Sequence, residues 1–340
     1  MASVLVDARD ASEPNPRGWA RYTGMLVNAL KRCDPPDGLE LHFIEEGAPG
    51  PDVLFEQLAL PRLLRKTNAA AIHGPNCFLP LRRPCPGIVT VHDLAFEAHP
   101  GDFSRRTGTK YRVLGRRSIR SAERVICDAH YTADDLCRRY GIDEDKVSVV
   151  PLAPALPEGG ETRPDGPYVL AVGDLRKKKN LGRLVEAFRR LRAEGLEHRL
   201  VIAGLDTGEG AALAQAAAGE PVEITGYVSD ARLDALYRGA DALAYPSLYE
   251  GFGLPLLEAM ARSTPVAAAR ATVLPETGGD AALYFDPLDV SDIAGTLGNL
   301  LSDEALRADL AARGRAHAAG FSWDRTAAAT LEVYSEVLAG

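Results

Sequence analysis

The chain lacks any run of about 20 apolar residues, the length a membrane-spanning helix needs. Its N-terminus, MASVLVDARD, carries too short an apolar stretch for a signal peptide, and Asp7 and Arg9 break it. Cysteine is sparse. Cys33, Cys77, Cys85, Cys127 and Cys137 are scattered, with no C-x-x-C. Five thiols at unpaired spacing argue against a disulfide framework and a zinc site. They fit buried thiols in a reducing cytoplasm. Basic charge is short as well, with 39 Lys and Arg against 47 Asp and Glu and a net charge of -8. A deficit of that sign disfavours nucleic acid as a partner. No internal repeat or low-complexity tract is present, which excludes a solenoid. These absences leave a cytoplasmic globular protein, at most peripheral to a membrane.

What is there is a chain of 340 residues, 46% hydrophobic and 25% charged, long enough for two ordinary domains. Short β-rich runs alternate with helix-period segments. In the first half the strand candidates are Ser3–Val6, Glu40–Ile44, Ala70–His73, Ile88–Val91, Arg124–Cys127 and Ser148–Val150. Helices fit near Trp19–Lys31, Phe55–Arg65, Arg105–Ser121 and Thr132–Tyr140. The segment 151–167, PLAPALPEGGETRPDGP, reads as an interdomain linker. The alternation restarts with Tyr168–Val172, Arg199–Ala203, Glu223–Thr225, Ala242–Tyr245, Val266–Ala268 and Ala282–Phe285. Alternation of this kind means parallel sheet with crossover helices. The expected architecture is α/β, two doubly wound Rossmann-like domains facing across a cleft, with boundaries at 1–155 and 156–320 and a terminal helical segment at 321–340. In such sheets a ligand sits at the carboxyl ends of the strands.

The richest block runs from Tyr245 to Glu276, YPSLYEGFGLPLLEAMARSTPVAAARATVLPE. A strand ends at Tyr245, and Gly251 and Gly253 let the backbone turn tightly. Pro255 suits the first turn of a helix, where a missing amide hydrogen costs nothing. That helix, Leu254–Arg262, offers unpaired amides and a partial positive charge at its start, a good seat for phosphate. Glu250 precedes the turn and Glu258 lies about one helical turn inside. In isolation, two such glutamates are a helix-flanking acid and a solvated helix residue. In this block they suit the hydroxyls of a ligand that also has phosphates, which points to a nucleotide sugar.

Four other stretches carry chemistry. VGDLRKKKN, 172–180, puts Arg176, Lys177, Lys178 and Lys179 after a strand and a glycine turn, either a solvated basic loop or a diphosphate clamp. ITGYVSD, 224–230, places Tyr227 and Val228 after a strand, where Ser229 or Asp230 can equally cap a helix. TVHDLAF, 90–96, sets His92 and Asp93 at a strand end, with His73 at another. PRGWARYTGMLVNAL, 16–30, opens a helix at Gly18. The segment 105–124 carries eight basic residues and reads either as a solvated helix face or as a basic amphipathic helix for anionic lipid.

Taken together, these motifs resemble the family 4 retaining glycosyltransferases of the GT-B fold. The likeness runs nearly end to end and is strongest from Tyr168 to Tyr334. The resemblance implies that Glu258 binds the donor ribose, that Glu250 binds sugar hydroxyls, and that the amides of Phe252, Gly253 and Leu254 hold sugar or phosphate oxygens. It implies that Lys179, helped by Lys178 or Arg176, stabilises the departing diphosphate, and that backbone near Tyr227 and Val228 lies along the base. It gives His92 the donor sugar as partner, with Asp93 orienting the ring or meeting the acceptor. Gly18 approaches the phosphate or the acceptor, and the terminal helix returns to pack on the first domain. Three positions depart from the pattern: Asp174 stands where arginine is frequent, and Arg17 and Ala20 where glycine is. The family needs no bound metal, and no D-x-D metal signature stands in a credible site. The expected activity is hexosyl transfer from a nucleotide-diphosphate sugar, GDP-mannose favoured, to a hydroxyl acceptor. A same-fold sugar-nucleotide epimerase and a non-catalytic nucleotide-sugar binding module are the alternatives.

Overall fold

The computed structural model describes residues 2–12, 18–47, 51–157 and 159–340. Arg17 lies outside them. The chain divides into two compact units, Met1–Ala153 with Ser322–Gly340, and Pro154–Phe321.

The first unit holds a six-stranded parallel sheet of β1 (Ala2–Asp7), β2 (Leu39–Ile44), β3 (Ala71–Gly74), β4 (Gly87–Val91), β5 (Arg124–Cys127) and β6 (Val147–Val149). Its spatial order is β2-β1-β3-β4-β5-β6. The inner strands β3 and β4 are buried throughout, as strands covered on both faces must be. The core gathers Leu5, Ile72, Val89, Val91, Phe96, Val125 and Leu136. The final helix, Trp323–Ala339, belongs to this unit and packs on the helix Trp19–Arg32. Ser322 starts it by accepting from the Arg325 amide, and the Thr326 hydroxyl donates to the Pro151 carbonyl.

The second unit repeats the plan with β7 (Tyr168–Val172), β8 (Arg199–Ala203), β9 (Val222–Gly226), β10 (Ala242–Tyr245), β11 (Val266–Ala269) and β12 (Leu283–Phe285). The order is β12-β11-β10-β7-β8-β9, all parallel. The chain thus winds one way from β7 through β9, then returns to β10 on the other side of β7 and winds the opposite way. The switch point falls between β7 and β10, where a doubly wound sheet opens a crevice at its carboxyl edge.

Two features were not legible beforehand. The helical stretches 52–67 and 105–121 each contain a π-turn, at Phe55–Ala59 and Tyr111–Gly115. The linker is also more than a tether. Leu152, Ala153, Ala155 and Leu156 are buried. Arg262 donates to the carbonyls of Leu156 and Pro157, and Arg238 to that of Glu161, while both arginines pair with buried Asp234. Among the described residues no helix is long and apolar enough to cross a membrane.

Candidate active site

The switch point of the second unit brings two loops together. The loop after β7 runs through Gly173 to a short helical turn, Lys177–Lys179. The loop after β10 runs from Pro246 to Gly253. Asn180 ties them, its left-handed backbone (φ 57°) turning the amide so that Nδ2 donates to the carbonyls of Pro246, at 3.1 Å, and Pro287, at 2.7 Å. The Lys178 carbonyl accepts from the Leu248 amide, and the Ser247 hydroxyl oxygen stands 3.2 Å from it.

This stitching places Lys179 against Glu250. Lys179 Nζ donates to Glu250 Oε1 at 2.5 Å and to the Tyr245 hydroxyl at 2.8 Å. Lys178 Nζ stands 3.9 Å from Glu250 Oε2. The Ser247 hydroxyl donates its proton to Glu250, whose own amide donates to Thr272 Oγ1. The Glu250 side chain is 11% exposed. Burial alone would raise its carboxyl, but the charges of Lys179 and Lys178 and the hydrogen bonds from Lys179 and Ser247 win and hold it down at about 2. Two lysines around one carboxylate concentrate positive charge under partly buried conditions, which suits an anion.

Gly173 explains how the lysine lies so close to the sheet. Its φ of 143° suits glycine, and a Cβ there would stand 2.9 Å from Lys179 Cε. Next along, Gly253 takes φ 93° before the helix Leu254–Ala261, with Pro255 in the first turn. A Cβ at Gly253 would meet Leu274 at 3.0 Å. The helix start therefore presents amides that no intrahelical carbonyl can take. Inside the helix Glu258 is buried, not solvated, and its Oε2 accepts from the buried Tyr237 hydroxyl at 3.2 Å.

In the first unit the carboxyl edge carries His92, just past β4. Its Nδ1 lies 2.7 Å from Asp128 Oδ2 and its Nε2 3.0 Å from the Pro75 carbonyl. Tyr22 packs edge-on at 4.4 Å between ring centroids. Burial would lower His92, but the Asp128 charge and hydrogen bond, with help from Asp93 and the Pro75 carbonyl, raise it above its ordinary value. Asp93 does not hold a ring nitrogen; its carboxylate accepts from the Ala95 amide. His73 is a core residue, buried between the Tyr334 hydroxyl at 2.7 Å and Thr90 at 2.8 Å.

Residues 155–317 match the family model described as glycosyl transferases group 1, and residues 18–153 match that described as glycosyltransferase family 4. The chain belongs to the group 1 glycosyl transferases. It is 32% identical over 293 residues to the O-antigen chain mannosyltransferase B of Escherichia coli, a match covering 80% of this chain and 75% of the relative. It is 33% identical over 285 residues to a D-inositol 3-phosphate glycosyltransferase of Xylanimonas cellulosilytica, with 74% and 66% covered. Among solved structures it superposes on a sucrose-phosphate synthase of Thermosynechococcus elongatus with TM-score 0.77 and 21% identity, each chain fully covered. Anabaena HepE, solved with UDP and glucose, gives TM-score 0.71 at 17% identity, with 99% of this chain and 100% of that one covered. The fold is GT-B, and the chain is a glycosyltransferase.

Within the enzyme the expected residues fall into separate groups. Lys178, Lys179 and Glu250 form one cluster, followed along the chain by Phe252, Gly253 and Leu254. Arg176 stands 3.8 Å from Asp174, so the departure at 174 supplies that arginine with a counter-ion. Tyr227, 47% exposed, and Val228 follow β9 at the same edge of the sheet. Gly18 has φ 51° and opens the helix Trp19–Arg32. Of the eight basic residues in 105–124, five have partners among the described residues: Lys110 with Glu56, Arg112 with Phe96, Arg116 and Arg120 with Tyr140, Arg124 with Glu336. The sequence reading missed Tyr245, Ser247, Thr272, Asn180, Tyr237 and Asp128. The first three lie inside the Tyr245–Glu276 block and Asn180 follows Lys179, so proximity to a motif was their signal. Asp128 had none.

Proposed function

We propose that this glycosyltransferase moves a hexosyl unit from a nucleotide-diphosphate sugar, GDP-mannose before others, to a hydroxyl of a saccharide, lipid-linked saccharide or small polyol, with retention and without a metal ion. The observation that carries the reading is the Lys178–Lys179–Glu250 cluster at the switch point, next to the start of the helix Leu254–Ala261. Lys179 and Lys178 neutralise the diphosphate, and the helix amides hold its oxygens or those of the sugar. Glu250 and Glu258 accept from hydroxyls of the sugar and the ribose. The bond from C1 to the phosphate oxygen breaks with its electron pair going to the diphosphate. The acceptor oxygen bonds C1 on the same face, and its proton passes to the leaving phosphate oxygen. Lysine and amide dipoles supply the positive charge this step needs. The mannosyl preference is supported by two relatives named as mannosyltransferases, from Escherichia coli and Mycolicibacterium hassiacum. Several relatives named as D-inositol 3-phosphate glycosyltransferases make a phosphorylated polyol a natural second acceptor to try.

The test is calorimetry and turnover with a panel of GDP-, UDP- and dTDP-sugars, followed by NMR of the product. Tightest binding of GDP-mannose, a product of unchanged anomeric configuration and a rate indifferent to EDTA are expected. An inverted product would overturn retention, loss of rate in EDTA would overturn metal independence, and a preferred UDP-sugar would overturn the donor.

A further inference from the structure

The imidazole of His92 is held from both sides by the strands that flank its own. In the β4–β5 ladder the last registered pair is Val91 with Cys127, so His92 and Asp128 are the next residues out on adjacent strands. On the other flank Pro75 follows β3 directly. A carbonyl oxygen only accepts, so Nε2 carries a proton toward Pro75, and the Asp128 carboxylate takes a second one at Nδ1. Asp128 has no other visible employment. It is 1% exposed, and its Oδ1 has no hydrogen-bond partner among the described residues. An aspartate at a strand-to-helix turn ordinarily caps the helix. Here the helix His130–Tyr140 starts at Ala129 with no side-chain cap. The far side of the ring is fixed by Tyr22, itself anchored through Thr90 and His73 to Tyr334. The His92 side chain is nevertheless 21% exposed, so one edge faces outward.

We propose that Asp128 is a positioning residue for His92: from the neighbouring strand end it fixes the ring's orientation and keeps both ring nitrogens protonated, so that the ring stands as a preset positive charge at the carboxyl edge of the first unit's sheet. The functional half of this inference rests on the charge of His92 contributing to turnover. A buried carboxylate invested in one imidazole sets both tautomer and charge. The titratable groups around the ring are Asp128 beyond β5, Asp93 in its own loop, His73 on β3, Tyr22 on the helix Trp19–Arg32 and Cys77 in the loop after β3. The two aspartates favour the charged ring. The neighbouring His73 is held neutral by burial, its value lowered to about 3.

The test is 15N NMR of the ring nitrogens in histidine-labelled full-length protein, with His92→Gln to assign the signal among the seven histidines. In the wild type His92 should titrate above the free-histidine value of about 6.5, and in Asp128→Asn at least about one pH unit lower. Asp128→Glu should keep the midpoint high. Turnover of Asp128→Asn should fall roughly 10-fold to 100-fold at pH 8 and recover toward pH 6, as for lost partners of functional histidines. Combined with His92→Gln it should add nothing further. An unchanged midpoint in Asp128→Asn, or an equal loss in the His92→Gln background, overturns the proposal. Wild-type turnover in His92→Gln would remove the reading of His92 alone, because the midpoint still decides what Asp128 does to the ring. Should Asp128→Asn fail to fold, a wild-type midpoint at or below about 6.5 is sufficient to sink it.

Discussion

Two buried ion pairs sit at strand ends, one in each unit, and their charge surpluses are opposite. At the β7–β10 switch point two lysines share one glutamate, whose carboxyl is driven down to about 2. Past β4 and β5 Asp128 bonds one histidine and Asp93 adds its charge, and the ring is driven up. The first arrangement gathers two ammonium groups around one carboxylate, a setting that suits an anion. The second uses spare negative charge to keep a cation charged. The same local device, a carboxylate bonded to a cation at a sheet edge, therefore does different work according to which partner is doubled.

The comparison can be broken most sharply at Lys179. Lys179→Ala should lower turnover by about 10³-fold or more, as for other cations that face a leaving phosphate. Single-turnover kinetics with saturating donor measures it, and a loss under tenfold would deny the lysine its role. Glu250→Gln should cost roughly 10²-fold. It should also change the acid response. A carboxyl held at about 2 in the fold against an ordinary 4.5 contributes stability that is complete above about 4.5 and disappears as pH falls toward 2. Thermal melts between pH 5 and 2.5 should show that acid-dependent loss in the wild type and less of it in Glu250→Gln.

Smaller substitutions sharpen the contrast. Gly173→Ala drives a methyl group into the end of the Lys179 side chain, a flexible group that can move, so the fold should survive while the ammonium shifts. Turnover should drop roughly tenfold, as for misplaced catalytic groups, with circular dichroism unchanged apart from a modest loss of melting temperature from the positive φ. Tyr237→Phe removes one neutral donor from Glu258 and should raise the donor KM about fivefold, the worth of a hydrogen bond of about 1 kcal/mol, with kcat nearly constant.

Much of the fold was legible because parallel strands announce themselves as short apolar runs between helical segments. All twelve strands lie where such runs were read, displaced by a residue at most at either end. The π-turns were invisible, since one extra residue per turn leaves no compositional trace. In the candidate site Glu250, Gly253 and Glu258 could be read from one contiguous block, and Lys179 from a basic loop after a strand. The resemblance gives Asp93 the ring or the acceptor as partner; its carboxylate accepts from the Ala95 amide, while the carboxylate on the ring nitrogen is Asp128, from the neighbouring strand end, which no motif marks.

The amino-acid order alone settled the α/β class, the two-part division into parallel sheets and the residue types needed to hold a phosphorylated sugar. Those follow from periodicity, glycine and proline placement, and charge, all of which are local. Only the folded sheet decided which charges meet. Lys179 and Glu250 are joined because β7 and β10, far apart in sequence, are neighbours across the switch point. His92 found Asp128 because β4 and β5 run in register to their last residues. Strand order is a property of the whole sheet's packing, and no short window of sequence encodes it.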